Sequence, residues 1–460
     1  MSKGKPTNEY LLAENRALKA RVQELESLVE SMGETNRQLL RRIEDLEGKP
    51  PVSAAPFRVP EKRKKKARKR RGRKRGHKGA SRAVPRRVDE VREAPHQKCP
   101  ECGCRTKILS RHEQYVEELL PPRRLVTKFV SYRLSCPSCG PVESRPPGHP
   151  PPARGCAKVR IGPGARALAS YLKASLGLTL GKIRRFFAEF GMKVTEGWLA
   201  SVRSELAGQL EGTWRGLLAR VRAGPSVHAD ETSWYVGEPG WLLWVFARPE
   251  TAVYLVEPTR SSQVVRRMLG DRYGGVLVSD CMASYDPIEC RKHKCYSHHL
   301  KALSESIERL GSAQAAPLKR LQSLLRASLA LGATRDAQPG ERYRRRVSHL
   351  KAAVDEILDG VYPHTGVDKA LHRFRKHREH LFTHLEEPGV DATNNLAERL
   401  LRFGVITRKL SCGNRTEHGA HVWQILTSVA ATCHQRGQSF LDLAYRSFLD
   451  PQPATDLLAA

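Results

Sequence analysis

Apolar residues in the first 50 positions follow a seven-residue repeat. Leucine or methionine fills one position of each heptad, and asparagine, valine or isoleucine fills the position three residues earlier. The first set is Leu11, Leu18, Leu25, Met32, Leu39 and Leu46, and the second is Asn8, Asn15, Val22, Val29, Asn36 and Ile43. This pattern is typical of a parallel two-stranded coiled coil, whereas a lone amphipathic helix would need a broader apolar face. We therefore predict that residues 8–47 form a leucine zipper that makes the chain a homodimer or a higher oligomer.

The apolar pattern stops at Gly48, Pro50 and Pro51, which end the helix. Residues 58–87 then hold seventeen lysines or arginines against one acid, Glu61. Such a segment cannot bury a core, so we predict a basic, disordered linker over residues 48–90. It could be only a solvated linker, but the density of positive charge favours contact with a nucleic-acid backbone. The candidate DNA contacts are Lys64, Lys65, Arg70, Arg71, Arg73 and Arg75.

Two matched cysteine pairs follow the basic segment. They are Cys99-Pro-Glu-Cys102 and Cys136-Pro-Ser-Cys139, and a glycine follows each pair. Two such turns can offer four thiolates to one tetrahedral Zn²⁺. We predict a zinc-ribbon-like module over residues 91–155, with strands at 115–118 and 125–134 between the pairs.

Between residues 160 and 215 the apolar positions take a helical period. One helix would carry Ile183 and end at Gly191, and a second would begin after Thr195 as its N-cap. Two short helices joined by such a turn suit either a helix-turn-helix reader of DNA or a packed helical hairpin. The second helix has few cations besides Arg203, so both interpretations stay open.

From residue 225 the period becomes that of strands. We predict strands at 225–230, 241–247 and 252–257, a helix at 261–269 and a buried strand at 275–280. Three strands, a helix and a fourth strand is the opening order of a ribonuclease-H-like fold. The tail at 422–449 has the pattern of helices that close such a domain. The fold class is therefore multidomain α+β.

Composition narrows the function. The 460 residues suggest several domains, and 80 lysines and arginines against 48 acids give a formal charge of +32, which attracts polyanions. The chain has neither a long apolar run to span a membrane nor an apolar signal segment. We therefore expect a cytoplasmic, nucleoid-associated protein without a membrane partner.

Three acids are candidates for catalysis. Asp230 ends the first strand of the predicted domain and Asp280 ends the fourth, so the two carboxylates should lie side by side. Glu231 is adjacent, but side chains alternate along a strand, so only one of these two acids can face the site. Glu398 would come from a helix capped by Asp391 or Thr393. Carboxylates in this arrangement hold Mg²⁺ or Mn²⁺ for in-line phosphoryl transfer.

The sequence resembles the insertion-sequence-66 (IS66) family of DDE transposases over nearly its whole length. The motifs that carry the resemblance are His228-Ala-Asp-Glu-Thr232, Asp280 in SDCMASYD, Thr393-Asn-Asn-Leu-Ala-Glu-Arg399 and Thr407-Arg-Lys-Leu-Ser-Cys-Gly-Asn414. Two small departures are Leu396 and the run Leu410-Ser-Cys412, and neither removes a metal ligand.

The resemblance implies what the chain does. Asp230, Asp280 and Glu398 would be the catalytic acids, which bind magnesium, hydrolyse a phosphodiester at a transposon end and then transfer the strand to target DNA. The catalytic core would occupy residues 225–310 and 391–450, with an α-helical insertion at 311–390. Small accessory proteins of the same element are possible partners. The candidate DNA contacts near the site are Asn394, Asn395, Arg399, Arg402, Arg408 and Lys409, where Asn394 or Asn395 could instead fix the glutamate.

Other interpretations compete with this one. Cys290, His293, Cys295 and His298 could form a second zinc site, but so compact a set does not match the usual geometry. A leucine-zipper regulator would carry its basic helix before the zipper, and here the basic residues follow it. An inactive or domesticated transposase that only binds DNA is the main alternative, and a zinc-dependent RNA-binding protein is a weaker one.

Overall fold

The computed structural model describes residues 160–310, 314–336 and 340–450 continuously. Before residue 160 it describes residues 15, 18–27, 29, 30, 32, 34, 88, 91, 102, 104, 124–128, 130, 132–138 and 140–144. The chain divides into two compact units, Met1–Glu118 and Leu119–Ala460.

In the first unit residues 18–27 are helical. The side chains at the predicted heptad positions Leu18, Val22, Leu25 and Val29 are 60%, 52%, 48% and 67% exposed. These apolar side chains are therefore not buried within the chain. The pairing of two such helices stays a prediction. Leu11, Leu39, Ile43 and the six basic residues proposed between Lys64 and Arg75 lie outside the described residues.

A short antiparallel hairpin opens the second unit. Strand β1 (Tyr132–Cys136) pairs with β2 (Gly140–Ser144), and Cys136 is aligned with Gly140. The strand predicted at 125–134 is wrong in its first part, because residues 124–128 have no regular structure. Cys102 is exposed, Cys99 and Cys139 lie outside the described residues, and the zinc site stays a prediction.

Three helices precede the main sheet: α1 (Pro163–Ala174), α2 (Leu180–Glu189) and α3 (Glu196–Arg222). Gly191 follows α2 with φ of 68°, and the Thr195 hydroxyl accepts a hydrogen bond of 3.1 Å from the Trp198 N–H, as the sequence predicted. The prediction of two short helices is wrong, because α3 runs for 27 residues. The apolar side chains of α3 continue to Val221 and pack into a core on one face of the main sheet.

The main sheet has five strands: β3 (Ser226–Val236), β4 (Glu238–Arg248), β5 (Thr251–Glu257), β6 (Arg272–Ser279) and β7 (Glu289–Lys294). Helix α4 (Ser262–Leu269) connects β5 with β6. The strand order is β5-β4-β3-β6-β7. The first three strands are antiparallel, and β6 and β7 run parallel to β3. The class is mixed α+β, as predicted.

Strand β3 is longer than the sequence pattern indicated. Its polar run after Asp230 suggested an end there, but the strand continues to Val236 in a hairpin with β4. Trp234 pairs with Trp241 across this hairpin, and Trp234 is buried. Pairing with β4 therefore keeps the polar residues after Asp230 in a strand, which the alternation of apolar and polar residues did not predict.

Both faces of the sheet are covered. Along β4, Trp244 and Phe246 belong to the core formed with α3, while Leu243 and Val245 belong to the core on the opposite face. This alternation follows from the two-residue period of a strand. The helices that follow are α5 (Tyr296–Leu310), α6 (Ala316–Gly332), α7 (Gly340–Asp359), α8 (Thr365–Lys376), α9 (Thr383–Glu386), α10 (Asn395–Ser411), α11 (Glu417–Gln435) and α12 (Phe440–Leu449).

Helices α5 to α9 lie between Asp280 and Glu398 in sequence and share a hydrophobic core of their own. This core includes Tyr296 and Leu303 of α5, so the helical body begins before the predicted boundary at residue 311. Helices α11 and α12 contribute to the core on the face of the sheet that α3 covers. Among the described residues, none of the helices combines the length and the apolar character needed to cross a bilayer.

Candidate active site

Asp230 and Asp280 come from neighbouring parallel strands. The pairing of β3 with β6 aligns His228 with Val278, and each acid lies two residues further along the chain. The Asp280 carboxylate accepts a hydrogen bond of 2.9 Å from the Met282 N–H, which closes the turn after β6. Asp230, within β3, and Asp280, directly after β6, therefore occupy adjacent positions on neighbouring strands.

Glu398 reaches this region on the first turn of α10. The helix packs against β3 and β4, and Ala397 and Leu401 share a core with Trp234 and Leu243. Apolar burial on one side of α10 thus sets the position of the acid on the other.

The charges of Asp280 and Glu398 act on the pKa of Asp230. Burial raises the pKa of Asp230 to about 7, and the negative charges of Glu231, Asp280 and Glu398 act in the same direction. A buried carboxylate among other negative charges is stabilised by a divalent cation, and oxygen donors suit Mg²⁺ or Mn²⁺. Within the described residues, however, the oxygens of Asp230, Asp280 and Glu398 do not form a set in which all lie within 4.8 Å of one another.

Glu231 has different partners from Asp230. The Tyr285 hydroxyl donates a hydrogen bond of 2.6 Å to Glu231 Oε2, and Arg260 Nε lies 3.7 Å from Oε1. Burial raises the pKa of Glu231, and the bond from Tyr285 opposes this shift. Adjacent acids on one strand are thereby given separate environments.

A buried pair of polar side chains links β3 with α10. Asn394 Oδ1 lies 3.2 Å from His228 Nδ1, and Asn394 Nδ2 donates a hydrogen bond of 2.8 Å to the carbonyl oxygen of Ala229. Asn394 is fully buried. The Asn394 side chain therefore links the start of α10 to β3, and it has no exposed surface. Its predicted roles toward DNA or the glutamate stay predictions.

The start of α10 differs from the prediction. The helix begins at Asn395, with Asn394 at the N-cap, and no side chain caps it. The expected cap by Asp391 or Thr393 is therefore wrong. Asp391 Oδ2 instead lies 3.7 Å from His228 Nε2.

Cys295 and His298 lie beside Glu398. Burial acts to raise the pKa of Cys295, but the His298 ring and the Asn394 N–H next to the sulfur outweigh it, so the pKa is below its ordinary value. The sulfur in turn raises the pKa of His298. The compact four-ligand zinc set is not formed, because the ring nitrogens of His293 lie 3.1 Å from the carbonyl oxygens of His380 and Ala392.

A buried lysine behind the acids was missed by the sequence analysis. Lys294 Nζ lies 3.3 Å from Asp286 Oδ1 and 3.4 Å from Ser279 Oγ. Burial lowers its pKa, and the charge of Asp286 opposes that shift. Lys294 thus connects the end of β6 with Asp286, which follows the short 3-10 helix Ala283–Tyr285.

The predicted DNA contacts differ in availability. Asn395, Arg399, Arg402 and Lys409 are exposed on α10. Arg408 donates hydrogen bonds to the backbone oxygen and the hydroxyl of Ser233, so it supports β3.

The last residues of the motif at 407–414 form the end of α10 and the turn that follows it, where they pack against β3. Cys412 ends the helix with φ of 56°, and Gly413 follows with φ of 88°. A Cβ at Gly413 would lie 2.5 Å from the Tyr235 carbonyl oxygen, so a side chain is excluded there. Asn414 Oδ1 then accepts a hydrogen bond of 2.9 Å from Trp234 Nε1. The motif therefore fastens α10 to the end of β3.

Comparison with known proteins gives two results. The profile of the family described as "Transposase IS66 family" matches residues 158–422. Two curated proteins of Sinorhizobium fredii (strain NBRC 101917 / NGR234) are similar over most of their length. The uncharacterized protein y4qI is 25% identical over 395 residues, which cover 77% of this chain and 71% of that protein. The uncharacterized protein y4jD is 22% identical over 380 residues, which cover 75% and 72%.

Proposed function

Because the chain belongs to the IS66 family of transposases, we propose that Asp230, Asp280 and Glu398 form the catalytic site of an active DDE transposase. The observation that carries this proposal is the register of β3 and β6, which brings Asp230 level with Asp280. Burial raises the pKa of Asp230 to about 7, and the charges of Glu231, Asp280 and Glu398 act in the same direction. The strand order β5-β4-β3-β6-β7 supports a ribonuclease-H-like core.

The reaction would have two steps. In the first, water attacks a phosphodiester at the transposon end, the bond from phosphorus to the 3′ oxygen breaks, and a 3′ hydroxyl is released. In the second, that hydroxyl attacks a phosphodiester of target DNA, and the target strand leaves with its own 3′ hydroxyl. Magnesium or manganese, when bound, would supply positive charge at the attacking and leaving oxygens.

The residues around the acids would position the substrate and the ligands. Asp230, Asp280 and Glu398 would hold the cation, and Asn394 with His228 would keep α10 in place against β3. Arg399 and Arg402 are exposed on the helix that carries Glu398, so they could contact phosphates beside the scissile bond. Lys294 would keep the turn after β6 in position.

The parts before residue 160 would deliver DNA to this site. The exposed seam at Leu18, Val22 and Leu25 supports a dimerising zipper, which would hold two transposon ends together. The hairpin of β1 and β2 places Cys136 beside a tight turn, which supports a four-cysteine zinc module. The basic residues in the segment 58–87 would bind DNA phosphates and keep the protein on the nucleoid. Accessory proteins of the same element remain candidate partners.

The test is strand cleavage in Mg²⁺ of a duplex that carries the ends of the encoding element, compared with a random duplex. We expect Asp230→Asn, Asp280→Asn and Glu398→Gln each to lower the cleavage rate by more than about 100-fold while DNA binding is retained. Asp271→Asn and Glu417→Gln, at exposed acids, are the matched controls and should cleave normally. A wild-type chain that binds the ends but does not cut would instead be the inactive regulator.

A further inference from the structure

Three different kinds of metal ligand meet beside the proposed catalytic acids. One ligand atom each of Cys295, His298 and Glu398 lie within 4.8 Å of one another, and no other set of three such residues does so among those described. His298 Nδ1 is 3.8 Å from Glu398 Oε1. Cys295 directly follows β7, His298 is on the first turn of α5 and Glu398 is on the first turn of α10. The start of α5 and the start of α10 therefore meet at this point.

The polar atoms of this cluster are incompletely satisfied by the protein. His298 Nδ1 is buried and has no hydrogen bond of ordinary geometry to any described residue. Such an atom is costly unless a ligand completes its coordination. The Cys295 sulfur accepts a hydrogen bond of 3.2 Å from the Asn394 N–H, an environment that suits a thiolate. Cys295 is fully buried, whereas His298 and Glu398 are half-buried and leave a way in for an ion.

We propose that Cys295, His298 and Glu398 form a second metal site, which takes a borderline-soft divalent cation such as Zn²⁺ and competes with the catalytic site for Glu398. A thiolate, an imidazole and a carboxylate are the donors that Zn²⁺ accepts, whereas Mg²⁺ prefers oxygen alone. Three protein ligands would leave the fourth position of a tetrahedral ion open.

The sharing of Glu398 gives this site a regulatory effect, which rests on the proposed function. A carboxylate oxygen of Glu398 lies within 4.8 Å of ligand atoms of Cys295 and His298, whereas Glu398, Asp230 and Asp280 do not form such a set. Zinc bound to the second site would hold Glu398 in this arrangement and remove one carboxylate from the magnesium site. Zinc would then inhibit cleavage, and Cys295 and His298, which the catalytic reaction does not use, would hold it.

The binding experiment uses Co²⁺ on the full chain, because its visible and near-ultraviolet bands report tetrahedral geometry and thiolate ligation. Titration of the wild type should show one equivalent with a single-thiolate spectrum beyond the four-cysteine module. Cys295→Ser should lose that equivalent, and His298→Ala should weaken it by about 10-fold or more. Cys290→Ser removes a half-buried thiol on β7, the strand that Cys295 follows, and is the matched control. Unchanged titrations for both Cys295→Ser and His298→Ala would overturn the site.

The regulatory effect is measured as the Zn²⁺ concentration that halves cleavage in saturating Mg²⁺. For His298→Ala, measured against its own rate without zinc, this concentration should rise by about 10-fold or more relative to the wild type. Equal sensitivity of wild type and His298→Ala would overturn the competition for Glu398. Absence of any cleavage by the wild type would refute the proposed function, while the cobalt result would still decide the metal site.

Discussion

The side-chain amide of Asn394 donates a hydrogen bond of 2.8 Å to the backbone oxygen of Ala229, the residue directly before Asp230. Asn394 is also the N-cap of the helix that carries Glu398. One buried side chain therefore connects the backbone positions of two proposed catalytic acids that are 168 residues apart in the sequence.

Replacing Asn394 should destabilise the domain. Asn394→Ala leaves the Ala229 oxygen and the His228 ring without their partner, so we expect the free energy of unfolding to fall by about 1–3 kcal/mol. Denaturant unfolding of the purified chain measures this loss. Asn395→Ala, at the exposed neighbouring position, should change stability by less than about 0.5 kcal/mol. Equal effects of the two substitutions would argue against the link.

Gly404 allows α10 to lie close to the sheet. A Cβ at this position would overlap Leu243 Cδ2, and Leu243 is fully buried. Gly404→Ala should therefore lower stability by about 1–3 kcal/mol, although alanine favours a helix. Gly208→Ala on α3 is the control, because nothing lies within 4 Å of the added methyl, and it should stabilise by up to about 1 kcal/mol. Thermal unfolding of both variants distinguishes steric overlap from helix propensity.

His384 should make the helical insertion sensitive to acid. Burial lowers the pKa of His384 to about 3, from an ordinary value of 6.5. The unfolded chain takes up a proton below pH 6.5 while the folded chain does not, so stability is lost as the pH falls from 6.5 toward 3. Between pH 7 and 5 this residue would account for a loss of about 2 kcal/mol.

The measurement is the pH dependence of unfolding for the wild type and for His384→Phe, which keeps a ring but cannot titrate. The variant should lose less stability than the wild type over this range. Parallel curves would contradict the prediction, even though other buried histidines contribute to both.

The zipper prediction concerns the molecular mass. Leu18→Lys and Leu25→Lys combined would place two charges in the proposed seam, so the dimer should weaken to a monomer in sedimentation or light scattering. Gln23→Lys adds a charge to the same helix outside the seam and should leave the mass unchanged. The prediction fails if the double variant keeps the mass of the wild type.

Much of the central domain could be predicted from the sequence, because its signals are local. Asp230 and Asp280 were identified by the strands that precede them, and Thr195 and Gly191 by the turn they form. The links between distant segments could not be predicted. Asn394 and His228 are 166 residues apart, and no periodicity indicates that a polar pair will be buried between a strand and a helix.

Two further features were hidden for similar reasons. Lys294 was part of a charged run, and only the neighbouring strand and the turn at Asp286 give it a buried partner. The grouping of Cys295 and His298 with Glu398 depends on a helical insertion that returns the chain to the same edge of the sheet. In both cases tertiary contacts decide what a polar residue does.

A change in metal preference tests most directly whether Asp280 holds the catalytic metal. Asp280→Cys replaces a hard oxygen ligand with a sulfur, which binds Mg²⁺ poorly and Mn²⁺ better. We predict that this variant binds the element ends, fails to cleave them in Mg²⁺ and regains cleavage in Mn²⁺, while the wild type cleaves in both. Cleavage by Asp280→Cys in Mg²⁺ at the wild-type rate would show that Asp280 does not hold the catalytic metal.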